Sequence, residues 1–122
     1  MIDVAPRYLK MILRILKKYI PNYEVRAFGS RVKGTVKKYS DLDLAIVEKT
    51  KLPKKILHLL REEFQESDLP FRVEIMDWQA ISDEFRKIIE TQYEIIQPVI
   101  KGGYQKRKTE YQTGNIAQER RR

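Results

Sequence analysis

The sequence predicts an α/β (α+β) fold, a small mixed sheet with helices on one face and the other face left for function. Two observations lead there. Apolar residues recur with a helical period over 9–20, 56–64 and 85–93. Between these segments lie three short runs, Glu24–Phe28, Leu42–Val47 and Phe71–Met76, that show the two-residue alternation of strands. Helix and strand patterns alternate along the chain, as they do in layered α/β and α+β domains.

Taken in order, the first helix opens at Ala5-Pro6, because proline is tolerated in a first turn, and Asp3 is its expected cap. Leu9, Ile12, Leu13, Leu16 and Ile20 form its apolar stripe, with Arg7, Lys10, Arg14, Lys17 and Lys18 largely opposite. Pro21-Asn22 stops it. Glu24–Phe28 is the first strand, and Gly29 permits a tight turn or close approach of a ligand to the backbone. Ser30 is the expected N-cap of a short helix through about Lys33, ended by Gly34. Thr35 to Ser40 is a polar, basic loop, and the second strand runs from Asp41 or Leu42 to Val47. Pro53 opens a helix to about Glu66 with Ile56, Leu57, Leu59, Leu60 and Phe64 on one face. Phe71–Met76 is the third strand. A helix capped by Ser82 follows, and Ile95-Ile96 with Val99-Ile100 either finish it or form a last extended piece.

Composition narrows the function classes. The 122 residues predict one domain over 1–100 and a basic tail over 101–122, expected to be disordered in isolation. The net charge is +8, of which +5 falls in that tail. Cationic charge suits a polyanionic ligand such as a nucleoside triphosphate or RNA, with nucleic acid reached only through the tail. No apolar run is long enough for a membrane span, and Met1-Ile2-Asp3-Val4 does not read as a signal peptide. The chain has no cysteine, which excludes thiolate metal sites and makes a reducing cytoplasm the expected compartment.

The chemistry concentrates between Phe28 and Val47. Asp41 and Asp43 sit two residues apart at the head of a strand, so both carboxylates share one face and Leu42, Leu44 and Ile46 share the other. Two like charges so placed repel, and a hard divalent cation between them removes the conflict. Gly29-Ser30 reads as the phosphate cradle of that metal site, since free N–H groups at a helix start attract phosphate. Alone, Gly-Ser is an ordinary helix cap and Asp-x-Asp an ordinary surface pair. The sole histidine, His58, has no catalytic partner in its helix and reads as a partly exposed helix residue. Trp78 and Tyr39 flank the site in sequence and could stack on a base, although burial is the usual work of tryptophan.

The combination is specific. Phe28-Gly29-Ser30-Arg31-Val32-Lys33-Gly34 followed by Ser40-Asp41-Leu42-Asp43-Leu44, with an acid in the next strand, resembles the DNA polymerase beta nucleotidyltransferase superfamily. More narrowly, it resembles the minimal nucleotidyltransferases, the MntA-like antitoxins found beside HEPN-domain (HepT-like) toxins. The resemblance covers about residues 8 to 96 and implies a polymerase-beta-like fold. It implies that Asp41, Asp43 and Glu74 are catalytic and hold two Mg²⁺ ions, about 3.5–4 Å apart in two-metal sites generally. It implies that Gly29 and Ser30 grip the β/γ phosphates of ATP, with Arg31 or Lys33 as added cations. The family's third acid is most often aspartate and here is Glu74. Asp77 is the rival, but its odd offset from Glu74 puts it on the opposite face of a regular strand.

The activity implied is transfer of AMP from ATP to a hydroxyl, in this family a tyrosine of the HEPN toxin, which silences the toxin. The chain's shortness fits an acceptor delivered by a partner. Two other readings stand beside this one: a non-catalytic module that binds toxin or nucleotide, and a subunit that modifies a small hydroxylated molecule.

Overall fold

A computed structural model describes residues 2–99 apart from Val36 and Lys38. The expected tail over 101–122 and the last residue of the Val99-Ile100 piece lie outside the described residues. Helix α1 spans Pro6–Tyr19, strand β1 Glu24–Phe28, helix α2 Ser30–Lys33, strand β2 Leu42–Val47 and helix α3 Lys54–Gln65. Strand β3 spans Val73–Asp77, a 3-10 turn Trp78–Ala80, helix α4 Asp83–Thr91 and strand β4 Glu94–Gln97. No helix among the described residues is long and apolar enough to cross a membrane.

The sheet has four strands in the order β3-β2-β1-β4. β2 pairs parallel with β3, and β1 pairs antiparallel with both β2 and β4. The parallel pair needs a crossover, and α3 supplies it. The mixed sheet is the expected one, with β4 as an addition: the alternative of a last extended piece holds, and α4 stops at Thr91. Gln97 fastens β4 by donating from Nε2 to the carbonyls of Ile20 and Tyr23 at 2.7 and 2.8 Å.

The main core lies between the sheet and the helices α1 and α3. Ile12, Leu16 and Ile20 meet Leu42, Leu44, Ile46, Leu60 and Ile75 there, all 0–2% exposed. Each such side chain contributes about 1.5–3 kcal/mol by leaving water. The opposite face is not left wholly open. Phe28, Ala45, Trp78 and Ile89 form a second, smaller cluster beneath α4 and the 3-10 turn. Trp78 therefore packs, as its size favours, and its ring lies beside Arg26.

Two caps differ from expectation. Ala5, not Asp3, precedes α1, because Asp3 is tied by its backbone to Arg31: its N–H donates to Arg31 O at 2.7 Å and its carbonyl accepts from Arg31 Nη1 at 2.8 Å. Gly29, not Ser30, precedes α2, and Ser30 is the first helical residue. Gly34 closes α2 in the left-handed conformation, and Ser82 caps α4 through Phe85 N–H at 3.1 Å, both as expected.

Candidate active site

β2 carries Asp43 between its register partners, Phe28 on β1 and Glu74 on β3. At the start of the parallel pair, Leu42 N–H donates to Arg72 O at 2.8 Å, which sets Asp41 beside Arg72. The two-residue period then brings Asp41, Asp43, Arg72 and Glu74 onto one face at the mouth of the parallel pair. Asp77 ends β3 on the other face. Its buried carboxylate accepts from Leu52 N–H and Gln79 N–H, each at 3.0 Å, so it serves the backbone.

Arg72 joins two of the carboxylates. Its Nη2 donates to Asp41 Oδ2 at 3.0 Å and lies 3.4 Å from Glu74 Oε1. The bond and charge of Asp41, with the charge of Glu74, hold the guanidinium protonated even more firmly than usual. The Asp43 side chain makes no hydrogen bond or ion pair among the described residues. Partial burial pushes its carboxyl above the ordinary aspartate range, and the charges of Asp41 and Glu74 push it further, against Arg72. Among the described residues, three carboxylates thus crowd one strand end with a single cation, Arg72, between two of them.

Gly29 adjoins Asp43 at close range. Its φ of 82° and ψ of −158° lie in a region essentially reserved for glycine. A Cβ there would run into Asp43 Oδ2 and stand 3.3 Å from its Cγ. The empty space of the missing side chain therefore opens onto the half-buried carboxylate. Ser30 and Arg31 follow, and helical bonding to Gly29 O begins only with Val32 and Lys33, each at 3.0 Å. With a single turn, α2 offers these early N–H groups rather than a large macrodipole.

Two cavities flank the carboxylates. One of about 280 Å³ has Gly29, Lys33 and Asp43 at its polar end and Phe85 and Ile88 of α4, with Gln92 just past its end, along its side. The other, about 610 Å³, has Asp41, Arg72 and Glu74 at one end and Phe64, Leu69 and Phe71 beyond. Exposed Tyr39 lines the larger cavity.

The residues fit a divalent ion in type and place. Hard oxygen donors converge on one face, burial and then their mutual charge raise the proton affinity of Asp43, and Gly29 keeps the space beside it clear. No three such side chains among the described residues stand ready-closed around a single point. Arg72 instead sits against Asp41 and Glu74.

One residue expected at the phosphate is placed elsewhere. Arg31 is 6% exposed, its Nε donates to Ser40 O at 2.9 Å, its Nη1 donates to Asp3 O, and its guanidinium lies 4.0 Å from the Phe71 ring centroid. It braces the loop before β2. Lys33 alone of the two cations lines the cavity with Gly29. Arg72 is the site residue that sequence reasoning passed over, although its parity with Glu74 already put it on the same face. His58 is exposed on α3, as expected.

The family model described as nucleotidyltransferase domain matches residues 9–104. A Haemophilus influenzae protein named probable protein adenylyltransferase MntA is 48% identical over 96 residues, which are 79% of this chain and 84% of that protein. Among solved structures, a toxin–antitoxin with AMP-PNP superposes with a TM-score of 0.63 at 24% identity, covering 75% of this chain and 73% of the other. The MNT antitoxin complex of the tri-AMPylated Shewanella oneidensis HEPN toxin gives 0.56 at 22%, covering 75% and 70%. Both structural likenesses are of fold. By its matched residues and its 48% relative, this chain belongs to the nucleotidyltransferase family, among its minimal, MntA-like members.

Proposed function

We propose that the chain is a Mg²⁺-dependent protein adenylyltransferase of the cytoplasm. It moves AMP from ATP to a tyrosine hydroxyl of a HEPN-domain (HepT-like) toxin and so acts as that toxin's antitoxin. The observation that carries this reading is the position of the carboxylates between two cavities, Asp43 facing one and Asp41 with Glu74 facing the other. A transferase needs its donor and acceptor on opposite sides of one charged centre. The protein-modifying activity named for the 48% relative supports the same class.

In this reading ATP enters the smaller cavity. The N–H groups after Gly29 and the Ser30 hydroxyl take the β and γ phosphates, and Lys33 adds a positive charge. Phe85 and Ile88 offer an apolar wall to the base. Asp41, Asp43 and Glu74 would hold Mg²⁺, which when bound supplies charge stabilisation at the transferring phosphorus and its leaving oxygen. Glu74, at the rim of the larger cavity, takes the proton of the incoming hydroxyl. The acceptor oxygen bonds to the α-phosphorus, the bond to the β-phosphate bridge breaks, and diphosphate leaves.

The Arg72 bridge favours one rival, a module that neutralises a toxin by contact with its chemistry impaired. Intact-protein mass spectrometry of the HEPN partner, after incubation with this chain, ATP and Mg²⁺, separates the two. AMP-sized mass steps that vanish with Asp41→Asn/Asp43→Asn support transfer. A stable complex with no mass gain would establish the binding module instead.

A further inference from the structure

We propose that Arg72 is the site's built-in counter-cation, holding Asp41 and Glu74 until a divalent ion displaces it. The inference rests on the metal reading above and adds the step by which the site loads. One nitrogen, Nη2, reaches both carboxylates, at 3.0 and 3.4 Å. A cation that binds Asp41 and Glu74 draws on the same two carboxylates and is repelled by the guanidinium charge. The guanidinium and the ion are therefore competitors for one place.

Three other arginines behave differently, and Arg26, which pairs with the Glu24 carboxylate, differs in being only 16% exposed. Arg31 donates to the carbonyls of Asp3 and Ser40, Arg61 to that of Ile75, and Arg86 to that of Trp78. Each braces backbone. Arg72 is engaged only by side-chain carboxylates among the described residues and is 73% exposed. Its side chain borders the larger cavity, which gives it room to swing aside. An exposed ion pair is weak, so the guanidinium can restrain the carboxylates and still yield to a divalent ion. Arginine does not lose its proton in the working range, so displacement, not titration, is the way to release it.

The test uses the full chain and Mn²⁺ as probe, with free Mn²⁺ followed by electron paramagnetic resonance. Arg72→Gln is expected to bind Mn²⁺ roughly threefold to tenfold more tightly than the parent chain. Placed on Asp41→Asn, the same substitution should give little of that gain, because one of the two paired carboxylates is gone. Melting temperatures supply a second reading: Arg72→Gln should melt below the parent without divalent ions and recover when Mn²⁺ is added. Equal or weaker Mn²⁺ binding by Arg72→Gln would overturn the counter-cation role and leave the metal site standing. Absence of Mn²⁺ binding in both proteins would overturn the metal reading as well.

Discussion

Gly29 and Asp43 are coupled at the site, because the glycine owes its place both to its backbone angles and to the carboxylate beside it. Gly29→Ala should cost about 1–3 kcal/mol of stability for the disallowed conformation and displace Asp43 as well. Loss of ATP binding together with a lowered melting temperature checks this. Gly34 is the control: its φ is also 82°, but its ψ of 15° is left-handed helical and a Cβ there meets nothing within 4 Å. Gly34→Asn should melt close to the parent and keep ATP binding, since asparagine tolerates that conformation. Asp43 makes a pH prediction. Its folded pKa is raised above the ordinary 3.8, so the folded state binds this proton more tightly than the unfolded one. The ionised carboxylate therefore opposes folding at neutral pH, and that penalty fades as pH falls through the raised value toward 3.8. Asp43→Asn should accordingly melt above the parent at pH 7 in a chelator, with the gap narrowing in acid. Thermal melts across pH read the sign directly, and a gap that widened in acid would refute it. The placement of Asp41, Asp43 and Glu74 on one face was legible from strand parity alone, since parity survives every detail of packing. The work of Arg31 was not legible, because a long guanidinium can turn either way from the same backbone and only the neighbouring Ser40 and Asp3 carbonyls decide it.

At the scale of elements, the end of β3 shows how a second acid next to a site can be purely architectural. Asp77 caps the 3-10 turn through Gln79 N–H and anchors the loop before α3 through Leu52 N–H. Asp77→Asn should cost about 1–3 kcal/mol, because one buried N–H is left facing a donor, yet spare the chemistry. Denaturant unfolding beside an AMP-transfer assay separates the two effects, and lost transfer in a well-folded variant would put Asp77 in the site. Helices α1 and α3 were readable because their apolar stripes hold one period for several turns. β4 was only half readable. Between Thr91 and Glu94 no glycine or proline marks the change from helix to strand, and Ile95-Ile96 fits either period. Pairing with β1 and the two bonds from Gln97 settle it, and both come from residues about seventy positions away. The covered part of the second face escaped for a similar reason. Phe28 and Phe85 meet edge to face at 5.9 Å, a contact no local pattern announces.

Across the whole molecule, stability is divided unequally between the two faces of the sheet. Among the described residues, fourteen buried side chains make the cluster against α1 and α3, and four make the cluster beneath α4. Opening α4 exposes far less apolar surface than opening α1 or α3, so it should be the first helix to open below global unfolding. That helix also supplies Phe85 and Ile88 to the cavity that ends at Gly29 and Asp43. A nucleotide bound there would bridge the weak layer to the strong one, and any ligand that binds only the closed form shifts the balance toward it by mass action. Hydrogen exchange read by mass spectrometry should therefore find the amides of 83–91 exchanging faster than those of α1 and α3 in the free protein. Adding a non-hydrolysable ATP analogue with Mg²⁺ should slow exchange in 83–91 and around 29–33 well beyond any change in α1. Asp43→Asn should lose the ligand effect while keeping the same ranking of helices without ligand. Uniform slowing over the entire chain, or slowing confined to the rim of the larger cavity at 64–72, would place the nucleotide elsewhere and detach α4 from the reaction.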